Sequence, residues 1–355
     1  MKEFHINTEI FFGEKALDRL SMLPFKNVLI ITDPFVVSSG MITLLTTRLD
    51  KAHIEYALFT DVVPDPPVEK VISGVATVMQ TKPPCIICVG GGSAIDTAKA
   101  VKKFAKQFDA EYDPHLIAIP TTSGTGSEVT KVSVITTPDG RKKSFHHEAI
   151  FPALSLGDPT YTMSLSPMVT RATMVDVLAH CAESFFSRSA NHLSQCYAVE
   201  GIRLLLPVMR WMEENGCDHL DYDTREQLYC AAIYGGLAIN VTGTCFPHTM
   251  GYLLTESFGI PHGTACAVFQ KDFYEYNKTV VPALAAEYLE RIGCGEEEYF
   301  RLLETLIPPC DITMDEACIA EAHSRWVNNG SMAKCQGDFT ADMADDVLRR
   351  KFLKI

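Results

Sequence analysis

The 355-residue chain contains no run of about 18 apolar residues, which a membrane-spanning helix would require. Residues 1–5 also lack the apolar core of a secretory signal peptide. The formal net charge is −13, and the charged residues form no long run of one sign. Because such a chain repels polyanions, we expect neither nucleic acid nor an anionic membrane as a partner. These absences predict a cytoplasmic protein.

A disulfide framework is also missing, although the chain has twelve cysteines. They are scattered among apolar neighbours, as buried thiols in a reducing compartment are. Cys85 and Cys88 have the spacing of a redox or zinc motif, but they lie in a predicted strand, where residues three apart face opposite sides. We therefore do not assign them such a function. The length allows two domains, and a hydrophobic content of 47% is ordinary for a globular enzyme.

The first part of the chain alternates apolar runs of strand length with helical segments, which predicts a parallel α/β sheet. One run, residues 26–31, leads to Asp33 at the carboxyl end of the strand. A carboxylate there can accept hydrogen bonds from an adenosine ribose and would repel a 2′-phosphate, which favours NAD over NADP. The same side chain could also cap the following helix, which we expect from about Val37 to Lys51.

A glycine-rich turn follows the next strand, residues 84–89, and precedes a helical segment. Glycines let the backbone approach a phosphate, and the helix N-terminus adds free N–H groups and partial positive charge. The turn therefore predicts a pyrophosphate site at Gly90, Gly91, Gly92 and Ser93. It does not match Gly-x-Gly-x-x-Gly, and glycine turns between a strand and a helix are common.

A third strand, residues 115–120, leads into a loop in which hydroxyl side chains alternate with glycines. Such a loop offers short donors to a phosphate, a ribose or a nicotinamide amide, although alone it could be a solvated loop. The hydroxyls that we predict to contact a cofactor are Thr121, Thr122, Thr125 and Ser127. From residue 166 onward the apolar spacing becomes helical. We predict an α/β dinucleotide-binding domain at residues 1–159 and a helical bundle domain at residues 160–355, with the active site in a cleft between them.

Four residues of the helical part could bind one divalent metal. Asp176 and His180 are spaced so that both project from the same face of a helix. His248 and His262 each stand beside a proline or a glycine that constrains the backbone. One carboxylate and three imidazoles, without a thiolate, suit Fe, Zn or another first-row ion better than Ca or Mg. Taken singly, the Asp–His pair could be a surface pair and each Pro- or Gly-flanked histidine a simple turn.

Together these motifs resemble the iron-containing (group III) alcohol dehydrogenases over nearly the entire chain. Residues 90–99 are similar to the family signature Gly-Gly-Gly-Ser-x-x-Asp-x-x-Lys, which adds Asp96 to the predicted cofactor residues, and residues 121–130 resemble its second cofactor loop. The resemblance places Lys142 where the family contacts the cofactor ribose, though it could be an exposed lysine. The implied fold is a Rossmann-like domain followed by a helical bundle, as in dehydroquinate synthase. The implied cofactors are NAD(H) and Fe²⁺, with Zn²⁺ as the alternative metal.

The resemblance implies hydride transfer between NAD(H) and a small aldehyde or primary alcohol, by a homodimer, since dimers are common in the family. The metal would polarise the carbonyl, and the nicotinamide would carry the redox chemistry. Tyr252 occupies the position of a family histidine proposed to relay the proton. A phenol with an unperturbed pKa of about 10 is a poorer relay, so Tyr252 could instead line the substrate pocket.

Two alternatives remain open at this stage. Family members that act on ω-hydroxy acids also have tyrosine at the relay position and a Val-Ser-Val segment like residues 132–134. This keeps a 4-hydroxybutyrate-type dehydrogenase, a semialdehyde reductase, in consideration, with Lys131 or Arg171 binding the substrate carboxylate. Sugar-phosphate lyases of the dehydroquinate synthase type share the architecture, NAD and a metal. They need several Lys and Arg for phosphate, whereas the residues around the four predicted ligands are mostly apolar or aromatic.

Overall fold

A computed structural model describes residues 4–353, which form eight strands. The strands are β1 (Glu9–Phe12), β2 (Asn27–Thr32), β3 (Glu55–Phe59), β4 (Cys85–Gly90), β5 (His115–Pro120), β6 (Val132–Thr136), β7 (Lys142–His146) and β8 (Leu154–Gly157). Six of them make a parallel sheet in the order β1-β8-β5-β4-β2-β3, and β6 pairs with β7 in an antiparallel hairpin. In this order β3 lies on one side of β2 and β4 lies on the other, so the direction in which strands are added reverses at β2. Ligands of such sheets bind beyond the carboxyl ends at this switch point.

Fourteen helices accompany the strands within the described residues. The first four are α1 (Pro34–Ser38), α2 (Ile42–Lys51), α3 (Val68–Thr81) and α4 (Gly92–Phe108). The other ten follow the last strand and are α5 (Pro167–Phe186), α6 (His192–Asn215), α7 (Tyr222–Thr242), α8 (Phe246–Phe258), α9 (His262–Ala267), α10 (Gln270–Val280), α11 (Pro282–Ile292), α12 (Glu296–Leu306), α13 (Glu316–Trp326) and α14 (Ala341–Phe352). This order, a parallel α/β sheet and then helices, confirms the predicted fold class.

The sheet is covered on both faces by apolar side chains. Successive residues of β4 enter different cores: Cys85 and Ile87 pack with α2, whereas Ile86 and Cys88 pack with α3 and α4. Parallel strands buried on both faces are expected to be continuously apolar, and all six residues of β4 are buried. Cys85 and Cys88 thus face opposite sides, as predicted, and all twelve cysteines are free thiols.

Two local predictions differ from the structure. The helix that we predicted to start near Val37 is two helices, because Gly40 adopts a positive φ of 79° between α1 and α2. Gly92 and Ser93, predicted to lie in a turn, are instead the first two residues of α4. Both differences concern the point at which a helix begins, which sequence patterns define least well.

The chain divides into two compact units. The sheet unit contains residues 5–165 and 220–229, and the described part of the helical unit contains Phe4 and residues 166–219 and 230–353. The short 3₁₀ turn Pro159–Thr162 belongs to the sheet unit. Among the described residues, no single helix is long and apolar enough to cross a membrane. By length and composition alone the pair α7 and α8, bent by 110°, meets that criterion.

Candidate metal centre and cofactor loops

Asp33 lies at the switch point of the sheet, at the end of β2. Its Oδ1 accepts hydrogen bonds from the backbone N–H groups of Phe35 and Val36, at 2.9 and 3.1 Å, so it caps α1. Its Oδ2 would lie 3.1 Å from a Cβ added at Gly90, which has a φ of 151°. The helix-capping alternative is therefore correct, and the second oxygen of Asp33 borders the glycine turn.

The glycine turn and the hydroxyl loop lie against each other. A Cβ at Gly91 would come within 3.2 Å of the Thr122 hydroxyl, and one at Gly92 within 2.6 Å of the Thr125 methyl group. The N–H of Thr121 donates to the Gly90 carbonyl at 3.0 Å. Since α4 begins at Gly92 and its N-cap residue is a glycine, no side chain caps the helix. Its first N–H groups can therefore bind an anion.

Three polar side chains fasten the hydroxyl loop to α4. The Ser127 hydroxyl donates to Asp96 Oδ1 at 2.6 Å, and the Val134 N–H donates to Asp96 Oδ2 at 3.0 Å. The fully buried Lys99 ammonium donates to the Ser127 carbonyl at 2.5 Å and to the Val132 carbonyl at 2.8 Å. Asp96 and Ser127, which we predicted to contact the cofactor, thus bind mainly to protein groups.

Two other predicted cofactor residues meet at the loop before α3. The N–H of Asp65 donates to the Ser93 hydroxyl at 3.2 Å. The carboxylate of Asp65 pairs with Lys142, whose ammonium lies 2.5 Å from Oδ1 and whose side chain is only 6% exposed. Lys142 is thus held in place rather than exposed. Lys131, a candidate partner of a substrate carboxylate, instead pairs with Glu148 at 2.5 Å.

The four predicted metal ligands lie together in the helical unit. Asp176 and His180 are on α5, His248 is on α8 and His262 begins α9. Asp176 Oδ1 lies 3.6 Å from His248 Nε2 and 3.9 Å from His180 Nε2. The ring centroids of His248 and His262 are 5.4 Å apart, and those of His180 and His248 are 4.7 Å apart.

Residues near the starts of α5 and α9 explain how these two helices come into contact. Ser166 caps α5, with Pro167 as its first residue, and Pro261 ends the link before α9. A Cβ at Gly263 would lie 2.0 Å from the Ala172 carbonyl oxygen and 2.6 Å from Asp176 Cβ. Only glycine therefore permits α9 to bring His262 against α5.

The electrostatics of this cluster fit a bound cation. Burial raises the pKa of Asp176, but the neighbouring imidazoles, His180 first, outweigh it and hold this pKa well below its usual range. Asp176 Oδ1 and His248 Nε2 are buried and lack a hydrogen-bond partner among residues 4–353. Buried polar atoms normally have partners, so these two atoms, 3.6 Å apart, are candidate ligands that could hold a metal ion.

Sequence reasoning missed a thiol in this cluster. One donor atom each from Asp176, His248, His262 and Cys266 lies within 4.8 Å of the others. Cys266 Sγ is 3.7 Å from His262 Nδ1, and burial raises the pKa of this thiol to about 11, so without a metal it is protonated near neutral pH. The four predicted ligands, none of which is a thiol, therefore have a thiol beside them. Cys266 follows His262 by four residues on α9, the spacing that had paired Asp176 with His180.

Two further side chains contact the histidines. Tyr252, four residues after His248 on α8, stacks on His262 with ring centroids 5.3 Å apart and planes inclined by 16°. Glu183, which sequence reasoning also missed, places Oε1 2.6 Å from His248 Nδ1. It lies on α5 seven residues after Asp176, so the helical period could have identified it.

Comparisons with known proteins agree with this arrangement. Residues 7–159 match the family model "Iron-containing alcohol dehydrogenase", and residues 170–323 match the C-terminal model of the same family. The 1-propanol dehydrogenase of Citrobacter freundii is 34% identical over 281 residues, which cover 78% of this chain and 74% of that protein.

Solved structures show the same similarity. The iron-containing alcohol dehydrogenase of Thermotoga maritima has a TM-score of 0.89 at 26% identity, with 99% of each chain covered. The sulfoacetaldehyde reductase of Bifidobacterium kashiwanohense, solved in complex with NAD⁺, has a TM-score of 0.89 at 25% identity, covering 99% of this chain and 98% of that one.

Proposed function

Because the chain belongs to the iron-containing alcohol dehydrogenase family, we propose that it transfers a hydride between NAD(H) and a small aldehyde or primary alcohol. It is thus a metal-dependent oxidoreductase that acts on alcohols and aldehydes. The predicted NAD(H) and iron agree with the family name and with the NAD⁺ complex of the sulfoacetaldehyde reductase. This membership sets aside the sugar-phosphate lyase alternative.

One observation carries the proposed metal site. Asp176 Oδ1 and His248 Nε2 are buried 3.6 Å apart without hydrogen-bond partners among the described residues, and the rings of His180 and His262 lie beside them. Asp176, His180, His248 and His262 would hold the ion, with Fe²⁺ as the proposed metal. Cys266 adds a nearby thiol that could favour Zn²⁺ instead.

The proposed NAD(H) site lies at the switch point of the sheet unit. The uncapped start of α4 would bind the pyrophosphate at Gly90, Gly91, Gly92 and Ser93. The free side of the Asp33 carboxylate suits a ribose, and the Thr122 and Thr125 hydroxyls adjoin the glycines. Asp96 and Ser127 would act by holding the hydroxyl loop, and Lys142 is fixed by Asp65.

Bound metal supplies a Lewis acid for the carbonyl oxygen, and bound nicotinamide supplies or accepts the hydride. The chain must then move a proton at that oxygen. Tyr252 offers a proton donor beside the proposed ligands, because its ring stacks on His262 and its phenol can donate or accept. We propose that Tyr252 relays this proton.

The proposed substrate is a small uncharged aldehyde such as propionaldehyde, in line with the similar 1-propanol dehydrogenase. Lys131, one of the two candidate partners for the carboxylate in the 4-hydroxybutyrate alternative, is paired with Glu148. We also propose a cytoplasmic location, which twelve free thiols support, and a homodimer, by analogy with the family.

The test is NADH oxidation by anaerobically prepared, Fe²⁺-loaded protein with propionaldehyde or succinate semialdehyde. We expect turnover of propionaldehyde that a chelator abolishes and Fe²⁺ restores. A strong preference for succinate semialdehyde would favour the 4-hydroxybutyrate-type enzyme. Turnover of neither aldehyde by protein that binds metal and NADH would contradict the proposed function.

A further inference from the structure

We propose that Glu183 is a positioning residue of the metal site: its carboxylate fixes the tautomer of His248 and turns Nε2 of that ring toward the metal. This inference rests on the proposed function, because it takes His248 as a metal ligand.

Glu183 shares the face of α5 that carries two of the proposed ligands. Asp176, His180 and Glu183 follow one another at intervals of four and three residues, so their side chains lie along one side of the helix. The Glu183 side chain is 0% exposed and that of His248 is 3% exposed. A charged side chain is rarely buried so completely unless its partners require it.

All three groups around the Glu183 carboxylate can donate hydrogen bonds. The backbone N–H of Cys245 donates to Oε2 at 2.7 Å, and the Gln270 amide donates to Oε1 at 3.1 Å. His248 Nδ1 lies 2.6 Å from Oε1. Since an ionised carboxylate only accepts hydrogen bonds, Nδ1 must carry the proton, and the lone pair of a neutral His248 ring is then on Nε2.

His248 Nε2 is the atom that needs a ligand. It is buried, lacks a hydrogen-bond partner within residues 4–353 and lies 3.6 Å from Asp176 Oδ1. A histidine that donates one ring N–H to a carboxylate becomes a better donor to a metal through the other nitrogen. Glu183 also fixes the position of the His248 ring through two further hydrogen bonds. It accepts them from Cys245, the N-cap residue of α8, and from Gln270, the first residue of α10. The same carboxylate therefore orients His248 and anchors the helix that carries it.

The decisive variant is Glu183→Gln in the full-length protein. The amide of this variant has one NH₂ group, which would point either at the Nδ1–H of His248 or at the backbone N–H of Cys245. In either orientation, two hydrogen-bond donors face each other. We expect the affinity for Zn²⁺, measured by competition with a chelator, to fall by about 10–100-fold, the range seen when such partners are removed. The visible absorption of the Co²⁺-loaded variant should also differ from that of the wild type.

Two matched controls separate positioning from packing. Gln270→Leu removes another hydrogen bond to the same Oε1 but leaves His248 and the carboxylate in contact. Asp345→Asn alters a second carboxylate–imidazole pair of equal length, 2.6 Å, at His323 in the same unit. Asp345→Asn should keep wild-type metal affinity and the wild-type Co²⁺ spectrum, and Gln270→Leu should lose less metal affinity than Glu183→Gln. A Glu183→Gln protein with native circular dichroism, unchanged Zn²⁺ affinity and an unchanged spectrum would overturn the inference.

A measurement on the wild type covers the case in which Glu183→Gln does not fold. Histidine-labelled, Zn²⁺-loaded protein is observed by ¹H–¹⁵N correlation, and His248 is assigned by the signal lost in His248→Gln. We expect a protonated Nδ1 and a metal-bound Nε2, whereas the opposite tautomer would refute the role of Glu183. If wild-type protein bound no metal at all, the proposed function would fail before this inference was reached.

Discussion

Asp96 and Asp176 stand on long helices of the two units, and their surroundings are opposite. Both oxygens of Asp96 accept hydrogen bonds, from the Ser127 hydroxyl and the Val134 N–H. Oδ1 of Asp176 is buried among imidazoles and has no hydrogen-bond partner among the described residues. A carboxylate whose oxygens are both bonded to protein can hold other groups in place, whereas an unsatisfied one beside three histidines is a candidate ligand.

The pKa shifts of the two aspartates are opposite as well. Desolvation raises the pKa of Asp96 despite the opposing charge of Lys99, and burial in turn lowers the pKa of Lys99 to about 8. Desolvation also raises the pKa of Asp176, but His180 and its neighbours reverse the shift. Asp96 is therefore part of a closed network of protein groups, while Asp176 is ionised in a cluster whose imidazoles could exchange their protons for a metal ion.

The largest effect should come from Asp176→Asn. The amide keeps the size of the side chain but removes the charge that a divalent ion requires, so metal affinity should fall by more than about 100-fold and turnover should be lost. Stability of the metal-free protein should also fall, because the imidazoles that hold the pKa of Asp176 low would lose the carboxylate charge beside them. Metal analysis after dialysis and urea unfolding measure both effects. Normal metal content would remove Asp176 from the site.

The same substitution at Asp96 should spare the metal site. Asp96→Asn removes the carboxylate whose charge does most to offset the burial of Lys99, and we expect a loss of about 3 kcal/mol in the free energy of unfolding. NADH affinity should fall because the hydroxyl loop loosens, while metal content stays normal. Urea unfolding of the chelated protein and NADH fluorescence titration provide the measurement. Loss of metal from this variant would break the distinction between the two aspartates.

Glu128 extends the comparison to pH. It follows Ser127 in the hydroxyl loop, its Oε1 has no hydrogen-bond partner among the described residues, and burial raises its pKa to about 7. A carboxyl with a raised folded-state pKa stabilises the protein fully below the unfolded value of about 4.5, and this contribution is lost as pH rises through about 7. Between pH 5 and 7 the loss of this contribution should lower the free energy of unfolding by about 2 kcal/mol.

The measurement is urea unfolding of wild type and Glu128→Gln across that pH range. The difference between the two proteins isolates Glu128 from the other titrating groups. The variant should lack this part of the pH dependence, whereas Glu148→Gln, at an exposed site, should keep it. An unchanged slope in Glu128→Gln would show that Glu128 is ionised throughout the range in the folded protein.

Much of this architecture follows from sequence periodicity. The buried strand β4 reads as a continuous apolar run, and Asp176 and His180 share a helix face because their spacing is close to one turn. These are short-range regularities, so they can be recognised without a structure. The inclusion of residues 220–229 in the sheet unit could not be recognised in this way, because it depends on contacts between distant parts of the chain.

The sequence also cannot show which group forms a hydrogen bond with a given polar side chain. Roles that depend on such partners could therefore not be predicted. The family signature marks Asp96, but only the structure reveals that Ser127 and Val134 use both of its oxygens. Glu183 and Cys266 have the helical spacing of ligands, yet spacing cannot tell that each lies at hydrogen-bond distance from a histidine. Sequence patterns therefore locate candidates, and hydrogen-bond partners separate carboxylates that hold protein groups from those that could bind a metal.

The smallest effect concerns Tyr252, whose ring stacks on His262 beside the proposed metal ligands. Tyr252→Phe keeps that stacking and removes the hydroxyl, so metal content should be unchanged while kcat for propionaldehyde falls about tenfold. Tyr252→His should retain or exceed wild-type kcat, since an imidazole with a pKa of about 6.5 relays protons better near neutral pH than a phenol does. Steady-state kinetics of Fe²⁺-loaded proteins, with metal content measured on the same samples, test both expectations. Wild-type kcat in Tyr252→Phe would make Tyr252 a wall of the substrate pocket and would leave the proton to another group.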